Sequence, residues 1–232
     1  MFDILFTHPD FYIINKHQGI SVHKDEGDTA LLTEMCKVTG DAQLYLIHRL
    51  DKMTSGLLIV GRSSQAAREL SELFANRNVE KYYLAIGSKK PKKKQGMVMG
   101  DMERSRRASW KLTSQMSNPA ITQFFSHAGE PGQRVFLCKP HTGKTHQIRV
   151  ALKSVGSPIL GDDIYNPSSH ADRGYLHAFA LRFEHKSQPF EFVCNPIEMR
   201  ELGEHWQTEG VRNSLESWNK PWQLNWPGVR KK

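Results

Sequence analysis

Two stretches of this chain crowd together side chains that could do chemistry. In His48-Arg49-Leu50-Asp51-Lys52-Met53-Thr54-Ser55-Gly56 a carboxylate sits among an imidazole, hydroxyls and cations. A carboxylate so placed can attack covalently, steer proton removal or stabilise positive charge developing on a substrate. Residue types alone favour reading Asp51 as a surface or capping carboxylate. The second stretch, His141-Thr142-Gly143-Lys144-Thr145-His146-Gln147-Ile148-Arg149, carries Gly-Lys-Thr where a strand gives way to a helix, which invites a phosphate-loop reading. That loop needs a glycine five residues before Gly143, and the position holds Cys138, so nucleotide hydrolysis is not expected. His141 and His146 lie off a common helical face and no Glu joins them in an H-E-x-x-H arrangement, so no metal site is read here. His23, His48 and His177 are dispersed and read as structural or surface histidines.

The surrounding elements must position both stretches. The apolar run Leu57-Leu58-Ile59-Val60, bounded by Gly56 and Gly61, predicts a strand buried on both faces directly after Asp51. Phe11 to Lys16 reads as an earlier strand closed by Gly19. Asp28 is placed to cap a helix with Leu31, Leu32, Met35 and Val38 on one face and Gly40 at its end. Ser63 or Ser64 opens a helix through Ala66, Leu70, Leu73 and Phe74, and a strand follows from about Val79 to Ile86. Arg134 to Cys138 forms the strand ahead of the second stretch. Ile148, Ala151, Leu152 and Val155 then recur at helical spacing up to Gly156, with Arg149 beside that stripe rather than within it. Leu176 to Phe183 and Phe190 to Cys194 read as a hairpin. Strands and helices mixed without a strict βαβ rhythm argue for an α+β fold. The expected organisation is one domain over residues 1–200 and a tail, 201–232, that packs on it through Trp206, Trp218, Trp222 and Trp226 and ends in Arg230-Lys231-Lys232.

Thirty-two Lys and Arg against 24 Asp and Glu leave a formal charge of +8 on 232 residues. Such a balance favours a polyanionic partner, because each neutralised phosphate releases condensed counterions. The charge is concentrated in Lys89, Lys90, Lys92, Lys93 and Lys94 around Pro91, and in Arg104, Arg106 and Arg107. Both clusters fall in a polar stretch, 88–119, that shows no clear element. A solvated loop and an RNA-facing loop are both compatible with these runs. Cys36, Cys138 and Cys194 form no C-x-x-C pair and suggest buried thiols in a reducing cytoplasm. No apolar run approaches the roughly 18 residues of a membrane span, and Met1-Phe2-Asp3-Ile4 lacks the opening of a signal peptide. A membrane is not an expected partner.

Taken together, the motifs resemble a known family. His48-Arg49-Leu50-Asp51 with Thr54-Ser55-Gly56-Leu57 is similar to the H-R-L-D-x-x-T-S-G-L signature of the RluA-type RNA pseudouridine synthases. Ile13-Ile14-Asn15-Lys16 with Gly19-Ile20 resembles the family's opening strand, and Lys81-Tyr82-Tyr83-Leu84-Ala85 its K-x-Y-x-A strand. His141 to Arg149 resembles H-T-G-R-T-H-Q-I-R, Pro158-Ile159-Leu160-Gly161-Asp162 resembles P-I-x-G-D, and Leu176-His177-Ala178 the late L-H-A. These ordered blocks, spread over roughly residues 4 to 197, identify the chain as a member. The resemblance implies a pseudouridine synthase fold, with a mixed, mainly antiparallel sheet, flanking helices and a central active-site cleft. It also implies a reaction without cofactor: the N-glycosidic bond of a uridine is cleaved, the base turns, and it is rejoined through carbon. By the same resemblance Asp51 is the catalytic carboxylate and Arg149 the basic residue that keeps it ionised. Tyr83 is the ring that stacks on the base, Leu176 an apolar pocket residue, and Arg49 the arginine that helps to extrude the nucleotide. Tyr82 is then expected on the other face of its strand.

Two departures from the family pattern stand out. His17 follows Lys16 where proline is usual, and Lys144 replaces an arginine, keeping the charge but losing the bidentate fork. The additional RNA-binding domain that many relatives carry ahead of the opening strand is not expected here. RNA selection is therefore expected to rest on the catalytic domain, the basic loop and the tail. By analogy the partner is a transfer RNA or an exposed ribosomal stem-loop, bound by a monomer. The rival reading is a noncatalytic RNA-binding or RNA-chaperone protein on the same fold. It predicts loss of the carboxylate or its partner, yet Asp51, Tyr83 and Arg149 are all present.

Overall fold

Burial on both faces makes one strand the organiser of the first half of the chain. In the computed structural model, which describes residues 1–22, 30–106, 108–198 and 203–228, the chain divides into two units. One comprises Met1–Val79 with His177–Cys194, the other Glu80–Leu176 with Asn195–Lys232. Numbered in chain order, β4 (Ser55–Gly61) is buried at every position, which is why its sequence is an unbroken apolar run rather than an alternating one. β4 pairs antiparallel with β2 (Phe11–Lys16), likewise buried throughout, and β2 with β1 (Phe2–Thr7). Short β3 (Tyr45–Leu46) also pairs with β4. On its other side β4 runs parallel to β11 (Leu176–His185), which turns back as β12 (Gln188–Val193).

Two helices complete this unit. α1 (Ala30–Thr39) buries Leu31, Leu32 and Met35 and stops at Gly40, whose φ of +77° suits glycine and whose N–H donates to Cys36 O. Val38, expected on the same face, is 61% exposed: the packed surface ends before the last turn of the helix. Asp28, the expected cap, lies outside the described residues. For α2 (Ser64–Ala75) the cap is Ser63, whose Oγ accepts the Ala66 N–H at 3.1 Å.

The second unit orders β5 (Glu80–Ser88), β10 (Gln133–Pro140), β9 (Ala120–Ala128) and β6 (Gln95–Gly100) side by side, all antiparallel. The stretch 88–119, in which the sequence shows no element, contains β6 and a small hairpin of β7 (Met102–Arg104) and β8 (Trp110–Leu112). Strands of three residues are too short to display a period, so polar composition conceals them. α3 (Gln147–Ser154) follows β10. Near the C-terminus α4 (Glu209–Trp218) buries Val211, Ser214, Leu215 and Trp218. Trp206 packs on Tyr175, Trp218 stacks on His127, and Trp226 meets Phe125 and Tyr82. Within the units the described strand pairings are antiparallel except β4 with β11, giving an α+β fold with a mixed, mainly antiparallel sheet.

Candidate active site

Asp51 occupies the turn ahead of β4, between buried Leu50 and buried Thr54. The turn is pinned by its backbone: Thr54 N–H donates to Asp51 O at 2.9 Å, and Gly19 N–H donates to Lys52 O at 2.7 Å. Farther back, His48 Nε2 accepts the Ile59 N–H at 3.0 Å while its ring stacks on Phe74 of α2 at 4.3 Å. The Asp51 carboxylate is half-buried and Arg49 is exposed. A carboxylate on a pinned turn just ahead of a buried strand, and not fully buried, meets the basic demand on a reacting group.

The packing of β4 against β11 explains why the T-S-G and L-H-A blocks occur in one chain. Gly56 lies against Ala178 with φ +105°, and a Cβ there would stand 2.3 Å from the Ala178 carbonyl oxygen. Only glycine allows this approach. Beside it Ser55 Oγ is hydrogen-bonded to His177 Nδ1 at 2.9 Å, and His177 Nε2 donates to Cys194 O at 2.9 Å. A carbonyl can only accept, so Nε2 of His177 carries a proton that points to Cys194. His177 is a fully buried structural link.

In the second unit the H-T-G-K-T-H-Q-I-R block is mostly scaffolding for its last residue. Thr142 Oγ1 donates to Gln147 Oε1 at 2.7 Å and accepts the Ile121 N–H at 3.0 Å. Lys144 N–H donates to the same Gln147 oxygen, and Gln147 Nε2 donates to Ile121 O and Thr122 Oγ1, each at 3.0 Å. His146, in the left-handed region at φ +57°, precedes the helix. With its start so fixed, α3 is buried from Gln147 to Leu152. Arg149 is therefore not beside a core stripe, as its spacing suggests, but inside the buried surface at 5% exposure.

A buried guanidinium needs a counter-charge. Arg149 Nε and Nη2 donate to Asp162 Oδ2 and Oδ1 at 2.7 and 2.8 Å, and the Tyr165 ring faces the guanidinium at 5.0 Å. Asp162 Oδ1 also accepts the Ile164 and Tyr165 N–H groups at 3.0 Å. Sequence reasoning places Asp162 within P-I-x-G-D without giving it a role. The available signal is a lone carboxylate in a motif block a short way beyond an arginine-bearing one.

Tyr83 stands on β5 opposite Cys138, half-buried, whereas Tyr82 is buried against Trp226 at 5.7 Å with Lys139 Nζ 5.2 Å from its ring. Leu176, the first residue of β11, is buried. Burial pushes the Cys138 thiol far up, leaving it un-ionised. Asp51 thus lies in the first unit, and Tyr83, Arg149 and Leu176 in the second.

The basic clusters do not form a single loop. Lys89, Lys90, Lys92, Lys93 and Lys94 project from the β5–β6 connection, whose backbone is anchored. Lys89 N–H donates to Gly132 O, Lys92 N–H to Val155 O, and Ser157 Oγ to Lys89 O. Arg104 and Arg106 are exposed on the β7–β8 hairpin, and Arg107 lies outside the described residues. Among the described residues no group of three His, Cys, Asp or Glu side chains could hold a metal ion, and no helix is long and apolar enough to cross a membrane.

This arrangement belongs to a known class. A family model described as RNA pseudouridylate synthase matches residues 10–154. A Haemophilus influenzae protein named as an uncharacterized RNA pseudouridine synthase is 46% identical over 205 residues, covering 88% of this chain and 90% of that protein. Ribosomal large subunit pseudouridine synthase C of Pasteurella multocida is 33% identical over 78% of this chain, which spans 60% of that relative's length. The solved structure of human RNA Pseudouridylate Synthase Domain Containing 1 shares the fold, with a TM-score of 0.76, 23% identity and 95% of each chain covered. The chain belongs to the RNA pseudouridylate synthase family. It is an RNA pseudouridine synthase, an enzyme that isomerises uridine in RNA, and nothing in these likenesses supports the noncatalytic reading.

Proposed function

We propose that Asp51 is the catalytic carboxylate, and that the enzyme acts as a cytoplasmic monomer on a uridine of a structured ribosomal or transfer RNA. The observation that carries the assignment is the half-buried Asp51 on a turn whose backbone is pinned by hydrogen bonds just ahead of β4. In the isomerisation the bond from ribose to uracil nitrogen breaks, the base turns, and ribose bonds to carbon 5 of the ring. The hydrogen on that carbon leaves as a proton and the freed nitrogen takes one up. No electrons are gained or lost, so a carboxylate that attacks, or that shuttles a proton, suffices.

The remaining side chains serve access and charge. Arg49, exposed next to the turn, fills the place of the extruded nucleotide, because a stacked uridine hides the bond to be broken. Tyr83 offers its ring to the turned-out base and Leu176 an apolar wall. Arg149 supplies positive charge that favours an ionised carboxylate, and its lock on Asp162 suits a charge that must not wander. The five lysines and Arg104, Arg106 and Arg107 meet phosphates. The Pasteurella relative, by its name an enzyme of the large ribosomal subunit, supports ribosomal RNA as the substrate class. Mapping pseudouridines in total RNA from a deletion strain and its parent tests the assignment. Loss of modification at one or a few ribosomal or transfer RNA uridines is expected, and identical maps in both RNA classes reject it.

A further inference from the structure

The β7–β8 hairpin is too small to stand alone, since isolated two-stranded hairpins are marginal in water. Around its tip Arg104, Ser105 and Arg106 are exposed, and the Arg104 guanidinium lies 5.9 Å from the Trp110 ring across the ladder. Its Trp110 N–H donates to the Tyr165 hydroxyl at 2.8 Å. Tyr165, only 4% exposed, is held from several directions. Its hydroxyl is 2.9 Å from His146 Nδ1 at the start of α3, and its ring faces the Arg149 guanidinium at 5.0 Å. Its own N–H donates to Asp162 Oδ1, on the carboxylate that grips Arg149. One residue thus touches the hairpin, the helix start, and the guanidinium with its counter-ion. In a close-packed interior a displacement of any of these is felt by the others.

We propose that Tyr165 is a positioning residue that ties the β7–β8 hairpin to Arg149, so that RNA phosphates gripping the hairpin set the guanidinium for the chemical step. This rests on the reading of Arg149 as a site residue and of the hairpin as RNA-facing. Phosphate binding at Arg104 and Arg106 pulls on the strand that bears Trp110. The Tyr165 hydroxyl carries that pull to the ring lying against Arg149. The device makes chemistry respond to correctly seated RNA rather than to RNA affinity alone.

A double-mutant cycle tests it. Tyr165→Phe keeps the ring over Arg149 and removes only the hydroxyl, while Arg104→Gln with Arg106→Gln removes the hairpin charge. Single-turnover isomerisation at saturating RNA and equilibrium RNA affinity are measured for each variant and for the combination. Each change is expected to slow the saturated rate about tenfold and the combination to be no slower than about twentyfold, because both cut one link. RNA affinity of Tyr165→Phe should stay within about threefold of the native value, a split between rate and binding that mere loosening of the hairpin does not produce. Losses that multiply to about a hundredfold, or a saturated rate unmoved by either change, overturn the proposal. Hydrogen exchange at the Trp110 amide provides a reading on the native protein: RNA should slow it at least about tenfold, and an unchanged rate overturns the link. An Arg149→Gln variant with a full saturated rate would remove the reading underneath, a failure distinct from multiplying losses.

Discussion

Arg149 is a buried cation that the fold holds in a bidentate pair. Its bidentate pair with Asp162 is nearly inaccessible to water, with the two side chains 6% and 0% exposed. Breaking such a pair from one side leaves an uncompensated buried cation, which costs about 3 kcal/mol or more. Asp162→Ala should accordingly lower the thermal midpoint by about 6 °C or more for a chain of this size. Calorimetry of the purified variant is the check, and a midpoint within about 1 °C of the native one would show that the pair carries no such burden.

At the level of elements, the parallel packing of β4 on β11 sets the tightest constraint near Asp51. Gly56→Ala would drive a Cβ into the Ala178 backbone and force an L side chain into φ +105°. The expected result is loss of soluble, cooperatively unfolding protein, or destabilisation by more than about 3 kcal/mol in urea titration. A soluble variant as stable as the native chain would mean that the two strands can part without cost.

A second link at this level is sensitive to acid. Asp10, in the β1–β2 turn, accepts from Lys186 Nζ in the β11–β12 turn at 2.8 Å and from His185 Nε2 at the end of β11 at 2.9 Å. The hydrogen bond from Lys186, and then that from His185, hold its carboxyl below the usual carboxylate range. A depressed folded pKa means stability that is complete above the unfolded value of roughly 3.9 and lost as pH falls through the folded value. Asp10→Asn should therefore be less stable than the native chain near about pH 6, with the gap closing as pH drops below about 4. Urea midpoints measured across that range decide it. A gap that stays constant into acid would assign the loss to packing instead.

Over the whole molecule, part of the positive balance is concentrated in exposed lysines on an anchored loop. Because the β5–β6 backbone is tied at Lys89, Lys92 and Lys94, its five lysines can meet phosphates without a large cost in ordering. Replacing all five with Gln should weaken binding to any RNA and flatten the plot of log affinity against log salt by roughly 0.7 to 0.9 for each phosphate no longer neutralised. The saturated rate should persist, since these lysines take no part in the proposed chemistry. An unchanged slope would leave the loop without a phosphate partner. What sequence could and could not reveal follows the range of the forces involved. β4 was legible because burial on both faces writes itself as an apolar run, and the Asp51 turn because its residue types are crowded in sequence. Arg149 was misplaced because helical spacing reports a stripe, whereas α3 is buried almost all round. β7 and β8 were invisible because strands so short have no period, and the Arg149–Asp162 clamp because it closes across a turn that spacing does not describe.

The most direct test of the account is release of tritium from RNA labelled on carbon 5 of uridine. Isomerisation exchanges that carbon–hydrogen bond for the bond to ribose, so each modified site must lose its label to water. The native enzyme should release label up to the number of its target sites, while Asp51→Asn should bind the same RNA within about threefold of native affinity and release none above background. Release by Asp51→Asn at even a few per cent of the native rate would contradict the assignment of the chemistry to Asp51.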